Sequence, residues 1–325
     1  MDLDLLFPLT CAAAGTAVAS ALLVRLAPRI GWVDGGSEER KRDVPPLPLV
    51  GGAAVLCGWL AGWLWFAVSE ATSFVPGRAL REIALAWIGP SAELWPLGGL
   101  LVAFAVGTID DVLESGLRPA HKLAGQVLAG CVVGLPMVVA APASAEAWGA
   151  LAALGFMAAV ALNAVNTFDN ADGAASGLGV LALAAPAPWM AAAVAAFLPW
   201  NLGRGARTSR AILGDGGSHA LGMALLITPA AWPVLVLPLL DLARLCWLRL
   251  RLGNWPWEGD RRHLAHRLQR AGLSPLRVAC VLGALALPGA VCGWWGAPLT
   301  ALALFAALRA TPEVIGELGP RTHGA

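Results

Sequence analysis

The chain has 325 residues, of which 58% are hydrophobic and only 13% are charged, and its formal net charge is +1. This composition, with 15 tryptophans and no tyrosine, is not that of a water-soluble domain. No basic segment interleaved with aromatic residues occurs, so the sequence gives no support for a nucleic-acid partner.

Apolar runs of helical length, separated by short polar loops, predict an all-α, polytopic integral membrane helical bundle. Such long continuous runs exclude a transmembrane barrel, because barrel strands alternate in polarity. We expect one transmembrane domain over residues 1–325, with about eleven transmembrane helices and a range of nine to eleven. The acidic start of the chain predicts that the first helix is retained, because a cleaved signal peptide begins with basic residues.

The expected transmembrane helices cover residues 5–26, 47–69, 94–109, 121–140, 147–163, 174–187, 188–203, 217–230, 231–249, 276–294 and 296–310. Several of them are short against the roughly 20 residues that a full crossing needs. For residues 174–203, a hairpin that re-enters the membrane is the alternative.

Basic residues are distributed unevenly between the two sets of loops. The loops on one side contain only Arg78 and Arg81. The remaining 20 of the 22 lysines and arginines fall in the alternate loops, at residues 25–46, 110–122, 204–215, 244–277 and 309–325. Because cytoplasmic loops are enriched in lysine and arginine, we expect the N-terminus outside and the C-terminus in the cytoplasm.

Asparagine is concentrated in one short polar segment. Three of the five asparagines, Asn163, Asn166 and Asn170, occur within eight residues, close to Asp169 and Asp172. Polar groups are costly beside hydrocarbon, so this segment is a candidate functional site. Its oxygen atoms suit Mg²⁺, and its amide and carboxylate edges can also bind a nucleotide base. An ordinary polar turn is the alternative.

Two adjacent carboxylates, Asp110 and Asp111, follow another apolar run, and Lys122 and Gln126 come next at helical spacing. Adjacent carboxylates repel each other unless a cation or proton lies between them, which suits metal binding or general-base catalysis. A solvated turn is the alternative. Lysine occurs only as Lys41 and Lys122, which favours a specific role for the compact ammonium group at both positions.

Two further segments carry groups suited to phosphate. Asp215 lies between glycines at the start of an apolar run, where the free N–H groups of a helix favour anions. Arg261, His263 and His266 belong to a basic segment, and arginine binds phosphate through paired hydrogen bonds. A basic loop at the membrane surface is the alternative. Together, these segments indicate phosphoryl transfer between a soluble donor and a membrane acceptor.

Five sequence patterns resemble, in the same order, those of the polyprenyl-phosphate N-acetylhexosamine-1-phosphate transferases of glycosyltransferase family 4. The first is an RK pair followed by PLPLVGG, and the others are DDxxxxxLxPxxKLxGQ, NAVNxxDxxDG, GDxGSxxLG and DRxHLxHRL. The resemblance extends from about residue 34 to residue 266, which is most of the chain. It implies an enzyme that uses Mg²⁺, with Mn²⁺ as the alternative metal.

The resemblance also implies roles for individual residues. The paired acids Asp110 and Asp111 would be catalytic, and Asp215 would bind the metal with help from Asn166. The remaining matches concern the substrates: donor binding by Asp169, Asp172, Arg261, His263 and His266, and contact with the acceptor phosphate by Lys122 and Lys41.

The implied reaction transfers N-acetylhexosamine-1-phosphate from a UDP-sugar to undecaprenyl phosphate and releases UMP. Ala265 replaces the middle histidine of the triple-histidine signature found in the MurNAc-pentapeptide branch, so the GlcNAc branch is favoured. The product would start cell-wall or lipopolysaccharide synthesis at the cytoplasmic face of the bacterial inner membrane. A two-step route through an aspartyl nucleophile is one alternative. An ion-coupled transporter and a non-catalytic scaffold are others, and a homodimer is an open expectation.

Overall fold

The computed structural model describes residues 3–34, 46–72, 94–113, 115–202, 209–258 and 261–312. Within these ranges the chain forms twelve α-helices, two 3₁₀ helices and two short strands. The helices are α1 (Leu3–Ile30), α2 (Gly51–Thr72), α3 (Trp95–Val112), α4 (Pro119–Ala140), α5 (Ala145–Phe168), α6 (Ala174–Leu183), α7 (Pro188–Asn201), α8 (Gly214–Leu226), α9 (Trp232–Arg251), α10 (Leu264–Arg270), α11 (Pro275–Cys292) and α12 (Ala297–Ala310).

Proline at the first or second position begins six of these helices: α3, α4, α7, α9, α11 and α12. Proline suits this position because the first N–H groups of a helix lack helical partners anyway. Helix α5 begins differently, since the Ser144 hydroxyl accepts a hydrogen bond from the N–H of Ala147 at 3.2 Å. These local signals explain why the long apolar runs divide into separate helices.

Within the part of the chain that the structure describes, six helical stretches are long and apolar enough to cross a membrane. The protein is therefore an all-α polytopic membrane protein, as predicted. Each of the eleven segments expected from the sequence coincides with a helix, and all eleven helix starts lie within four residues of the expected position. The number of helices that cross the bilayer, and the orientation of the termini, stay predictions.

Helix α8 lies at the centre of the bundle and packs against α2, α3 and α5. Every residue from Gly216 to Leu226 is buried. The polar residues Ser218 and His219 are enclosed together with the apolar ones, so the helix is surrounded by protein on every side. The acid at its start, Asp215, is consequently held where the ends of several helices meet.

A short antiparallel pairing fixes the segment that precedes α2. The strands are β1 (Val33–Asp34) and β2 (Leu47–Pro48), with Val33 opposite Pro48. Beyond β2, the N–H of Ile212 donates to the Pro48 carbonyl, and the N–H of Gly51 donates to the Ile212 carbonyl, both at 3.0 Å. The chain that enters α8 is thus tied by its backbone to the chain that enters α2.

Candidate active site

Polar side chains from four helix ends and two loops surround a cavity of about 720 Å³. Its polar lining comprises Asp34, Asp110, Asp111, Asn166, Asp169, Asn170, Asp172, Asn201 and Asp215. Six of these are aspartates, and no lysine, arginine or histidine belongs to the described lining. The cavity therefore brings together the three acidic sequence patterns that were expected to form one site.

Asp111 is bound to the start of helix α8. Its carboxylate oxygens accept hydrogen bonds from the N–H of Asp215 at 2.9 Å and from the N–H of Gly216 at 3.0 Å. These N–H groups have no partner within the helix, and a negative charge near them is favourable. Asp111 thus joins the end of α3 to the start of α8, a role that its place in an acidic pair did not reveal.

Lys122 lies between two carboxylates. Its ammonium group donates to Asp110 Oδ2 at 2.7 Å and also to Asp215 Oδ2. The other oxygen of Asp110 accepts a hydrogen bond from the N–H of Leu117. The cation offsets part of the repulsion among the carboxylates, and it connects α4 to both α3 and α8.

Asn166 contacts the same aspartate from helix α5. Its amide nitrogen donates to Asp215 Oδ1 at 2.8 Å and to the Ser218 hydroxyl at 3.0 Å. Both oxygens of Asp215 are thereby held by side chains from different helices. The resemblance assigns these two residues jointly to metal binding, and the structure shows their side chains in direct contact.

Glycines allow the helices to approach the start of α8 closely. A Cβ atom on Gly107 of α3 would lie 2.2 Å from the Asp215 carbonyl oxygen, and one on Gly52 of α2 would lie 2.4 Å from the Gly217 nitrogen. Gly214 has a φ of +74°, a backbone conformation that side chains rarely adopt. The need for close contact explains why glycines, in GDGG and just before Thr108, lie next to the acids in the sequence.

The second side of the cavity is built by the loop between α5 and α6. Asn201, at the end of α7, accepts hydrogen bonds from the N–H of Gly173 at 3.0 Å and from the Ser176 hydroxyl at 2.9 Å. The Ser209 hydroxyl donates to Asp172 Oδ1 at 3.2 Å. Asn201 was not expected in the site, although the scarcity of asparagine in this chain could have pointed to it.

Burial raises the pKa of both aspartates in this loop. For Asp172 the hydrogen bonds from Ser209 oppose the rise. For Asp169 the pKa lies well above its usual value, because the negative charges of three neighbours, Asp215, Asp172 and Asp111, reinforce the effect of burial. The Asp169 carboxylate is thus held at a cost in free energy when it is ionised.

We expect Asp169→Asn to raise the melting temperature by a few degrees at neutral pH and to leave it unchanged near pH 3, below the ordinary pKa of aspartate. A carboxyl whose pKa is raised in the folded state destabilises the fold above its unfolded-state pKa, and this cost disappears at pH values below both. Asparagine removes the cost and retains an acceptor for the Ala175 N–H. Thermal unfolding of both proteins across this pH range measures the difference, and an equal shift at every pH would contradict the explanation.

The basic segment was expected to bind the donor, and this stays a prediction. Arg261, His263 and His266 do not belong to the described lining of the cavity. Arg261 is exposed, whereas His263 is buried, with its ring centre 5.7 Å from that of His266. Lys41, expected at the acceptor phosphate, lies outside the described residues.

Asp241 of helix α9 holds this basic segment in place. It accepts hydrogen bonds from Arg244 at 2.7 and 3.1 Å, and Arg244 also donates to the Arg262 carbonyl at 2.8 Å. The His263 Nδ1 atom lies 3.9 Å from Asp241 Oδ2. The buried Asp241 therefore helps to fix the conformation of the segment that leads into α10.

The acids of the cavity provide the oxygen ligands that hard cations such as Mg²⁺ prefer. Among the described residues, no three acidic, histidine or cysteine side chains are grouped closely enough to hold a metal ion. The ammonium group of Lys122 instead lies between Asp110 and Asp215. The oxygen atoms of this cluster are thus of the type that a divalent cation prefers, whereas in this structure Asp110 and Asp215 are paired with the ammonium group of Lys122.

Known proteins resemble this chain along most of its length. The undecaprenyl-phosphate alpha-N-acetylglucosaminyl 1-phosphate transferase of Escherichia coli K12 is 28% identical over 296 residues, which covers 81% of this chain and 75% of the relative. The enzyme of the same name from Yersinia pestis is also 28% identical, over 305 residues, with 81% and 76% covered. A Streptomyces coelicolor protein named as a glycosyltransferase is 33% identical, with 95% and 75% covered.

A sequence profile described as glycosyl transferase family 4 matches residues 94–231. This range includes Asp110, Asp111, Asn166 and Asp215, which the structure brings together. The match supports the interpretation as an enzyme over the alternatives of a transporter and a scaffold. The chain therefore belongs to the glycosyl transferase family 4 enzymes.

Proposed function

We propose that the protein transfers GlcNAc-1-phosphate from UDP-GlcNAc to undecaprenyl phosphate and releases UMP. The observation that carries this proposal is the meeting of three sequence patterns, represented by Asp110, Asn166 and Asp215, at one cavity. The names of the relatives from Escherichia coli and Yersinia pestis supply the donor sugar and the acceptor lipid.

The charge of the cavity supports a bound cation. Six aspartates line it, while both proposed substrates carry phosphate groups. Anions would be repelled by such a lining unless cations accompanied them. We propose that Asp215 and Asn166 hold Mg²⁺, which would neutralise charge on the donor pyrophosphate.

The hydrogen bonds within the site favour direct transfer over a covalent intermediate. Both oxygens of Asp111 accept bonds from the backbone of α8, and both oxygens of Asp110 are also engaged. These carboxylates are better suited to keep the lipid phosphate ionised and aligned than to attack phosphorus themselves. An oxygen of the lipid phosphate then attacks the β-phosphorus, and the bond from that phosphorus to the oxygen of UMP breaks.

Lys122 is placed to attract the acceptor. Its ammonium group contacts Asp110 and Asp215 at the junction of α3, α4 and α8. A positive charge at this junction would attract the phosphate of the acceptor. We also propose that the cavity faces the cytoplasm at the inner membrane, with the N-terminus outside and about eleven membrane spans.

An exchange assay tests the proposal. Purified protein in detergent receives undecaprenyl phosphate, Mg²⁺ and one donor at a time: UDP-GlcNAc, UDP-GalNAc or UDP-MurNAc-pentapeptide. We expect release of UMP from UDP-GlcNAc, dependent on the lipid and abolished by EDTA. Release from UDP-MurNAc-pentapeptide alone would reject the proposed donor, and no release from any donor by folded protein would reject the reaction.

A further inference from the structure

A second polar layer crosses the bundle one helical turn below the acid cluster. It consists of Gln126 on α4, Asn163 on α5 and His219 on α8. Each of these residues lies three or four positions from a site residue on the same helix, so the two layers connect the same three helices. Gln126 and His219 are fully buried.

The layer forms a continuous chain of hydrogen bonds. The amide nitrogen of Asn163 donates to the Ala159 carbonyl at 2.8 Å and to Gln126 Oε1 at 2.6 Å. Gln126 Nε2 lies 2.8 Å from His219 Nε2. His219 Nδ1 lies 2.6 Å from the carbonyl oxygen of Asp215. This chain of hydrogen bonds thus ends on the backbone of Asp215.

The direction of every hydrogen bond in this chain is determined by its two ends. A backbone carbonyl can only accept, so His219 Nδ1 carries the proton at one end and the Asn163 amide donates to Ala159 at the other. Gln126 must then accept from Asn163 through Oε1 and donate to His219 through Nε2. Reversing either amide would place two donors or two acceptors against each other. A single arrangement satisfies all the groups, and it selects one tautomer of His219.

We propose that Asn163, Gln126 and His219 are positioning residues that fix the first turn of α8, and with it Asp215, relative to α4 and α5. Buried polar groups are costly unless they are paired, so helix shifts that break this chain are disfavoured more strongly than shifts between apolar surfaces. The effect on catalysis rests on the proposed transferase function, whereas the effect on the first turn of α8 does not.

Two kinds of variant separate positioning from simple stabilisation. Gln126→Leu breaks the chain of hydrogen bonds and leaves Asn163 and His219 without their partner in it, so we expect a lower melting temperature. The triple variant Asn163→Leu/Gln126→Leu/His219→Leu removes all the polar groups together, which restores stability in the manner of an apolar core. Thr228→Val is the matched control, because it removes a hydrogen bond to the Ala224 carbonyl at the far end of the same helix.

Three measurements are made on each protein: the melting temperature, the rate of UMP release, and hydrogen–deuterium exchange in peptides that cover residues 214–226. In the triple variant we expect near-normal melting, a fall in kcat of about 10- to 100-fold, the range found when the supporting partners of a site are removed, and faster exchange in the first turn of α8. We expect Thr228→Val to keep wild-type kcat and wild-type exchange in that turn.

A stable triple variant with wild-type exchange and wild-type kcat would overturn the proposal and leave the layer a purely structural one. If the wild-type protein released no UMP from any donor, the proposed transferase function would be wrong. Hydrogen–deuterium exchange alone would then decide the positioning role. If the triple variant did not fold, hydrogen–deuterium exchange would be compared between Gln126→Leu and Thr228→Val. Faster exchange in the first turn of α8 in Gln126→Leu alone would support the positioning role, and equal exchange would overturn it.

Discussion

Replacing Asp215 by asparagine is expected to reduce UMP release by a factor on the order of 10³, the upper range for losing one electrostatic contact at a reacting centre. Both oxygens of Asp215 accept hydrogen bonds, from Asn166 at 2.8 Å and from Lys122. The new amide would point its N–H groups at one of these donors, so the residue loses a charge and a partner together. Initial rates with saturating substrates measure the effect.

The matched control for this variant is Glu146→Gln. Glu146 lies in the first turn of α5, about 30 Å along the helix from Asn166 of the site. This change also removes one negative charge from the protein, yet wild-type turnover is expected. A fall of less than about tenfold in Asp215→Asn, with normal folding, would remove Asp215 from the centre of the proposed mechanism.

Gly107→Ala is expected to lose at least about 100-fold in activity, because a displacement of 1 Å at a reacting centre can cost that much. The added methyl group would lie 2.2 Å from the carbonyl oxygen of Asp215 and 2.6 Å from the Gly216 nitrogen. These are backbone atoms at the start of a buried helix, so α3 and α8 must move apart. Such overpacking costs roughly 1–3 kcal/mol in stability, and thermal unfolding together with UMP release tests both effects.

Gly149→Ala provides the comparison on helix α5, where an added Cβ would meet nothing within 4 Å. Alanine favours helices over glycine, so this variant should melt at the same temperature or slightly higher and keep full activity. If Gly107→Ala behaved like Gly149→Ala, the close approach of α3 to α8 would not be needed for the site.

Hydropathy predicted the helices well because an apolar segment in a membrane must pair its own backbone polar groups, which a helix does. Each expected segment coincides with a helix, from Leu3–Ile30 at the start to Ala297–Ala310 near the end. The helix Leu264–Arg270 was not predicted, since it is short and carries basic residues among its apolar ones. Hydropathy also cannot decide whether a short helix such as Ala174–Leu183 crosses the membrane.

The acid cluster could be predicted because polar residues are rare in this chain. Asp110, Asn166 and Asp215 stood out against apolar surroundings, and the structure brings them together. The role of Asp111 as a partner of helix N–H groups depends on the arrangement of α3 and α8, which no sequence pattern encodes. The role of His219 was not predicted for the same reason. Its side-chain partner Gln126 is 93 residues away in the sequence, and its other partner is the carbonyl of Asp215, one turn earlier in the helix.

The lining of the cavity has a consequence for inhibitor design. Compounds that copy only the anionic parts of a sugar nucleotide would meet six carboxylates, among them Asp34, Asp169 and Asp172. A compound with protonated amines placed against these acids would bring its own counter-charge and would not depend on a metal ion for binding. Under the proposed function, selective inhibitors should therefore be sought among cationic nucleoside derivatives rather than among phosphate mimics.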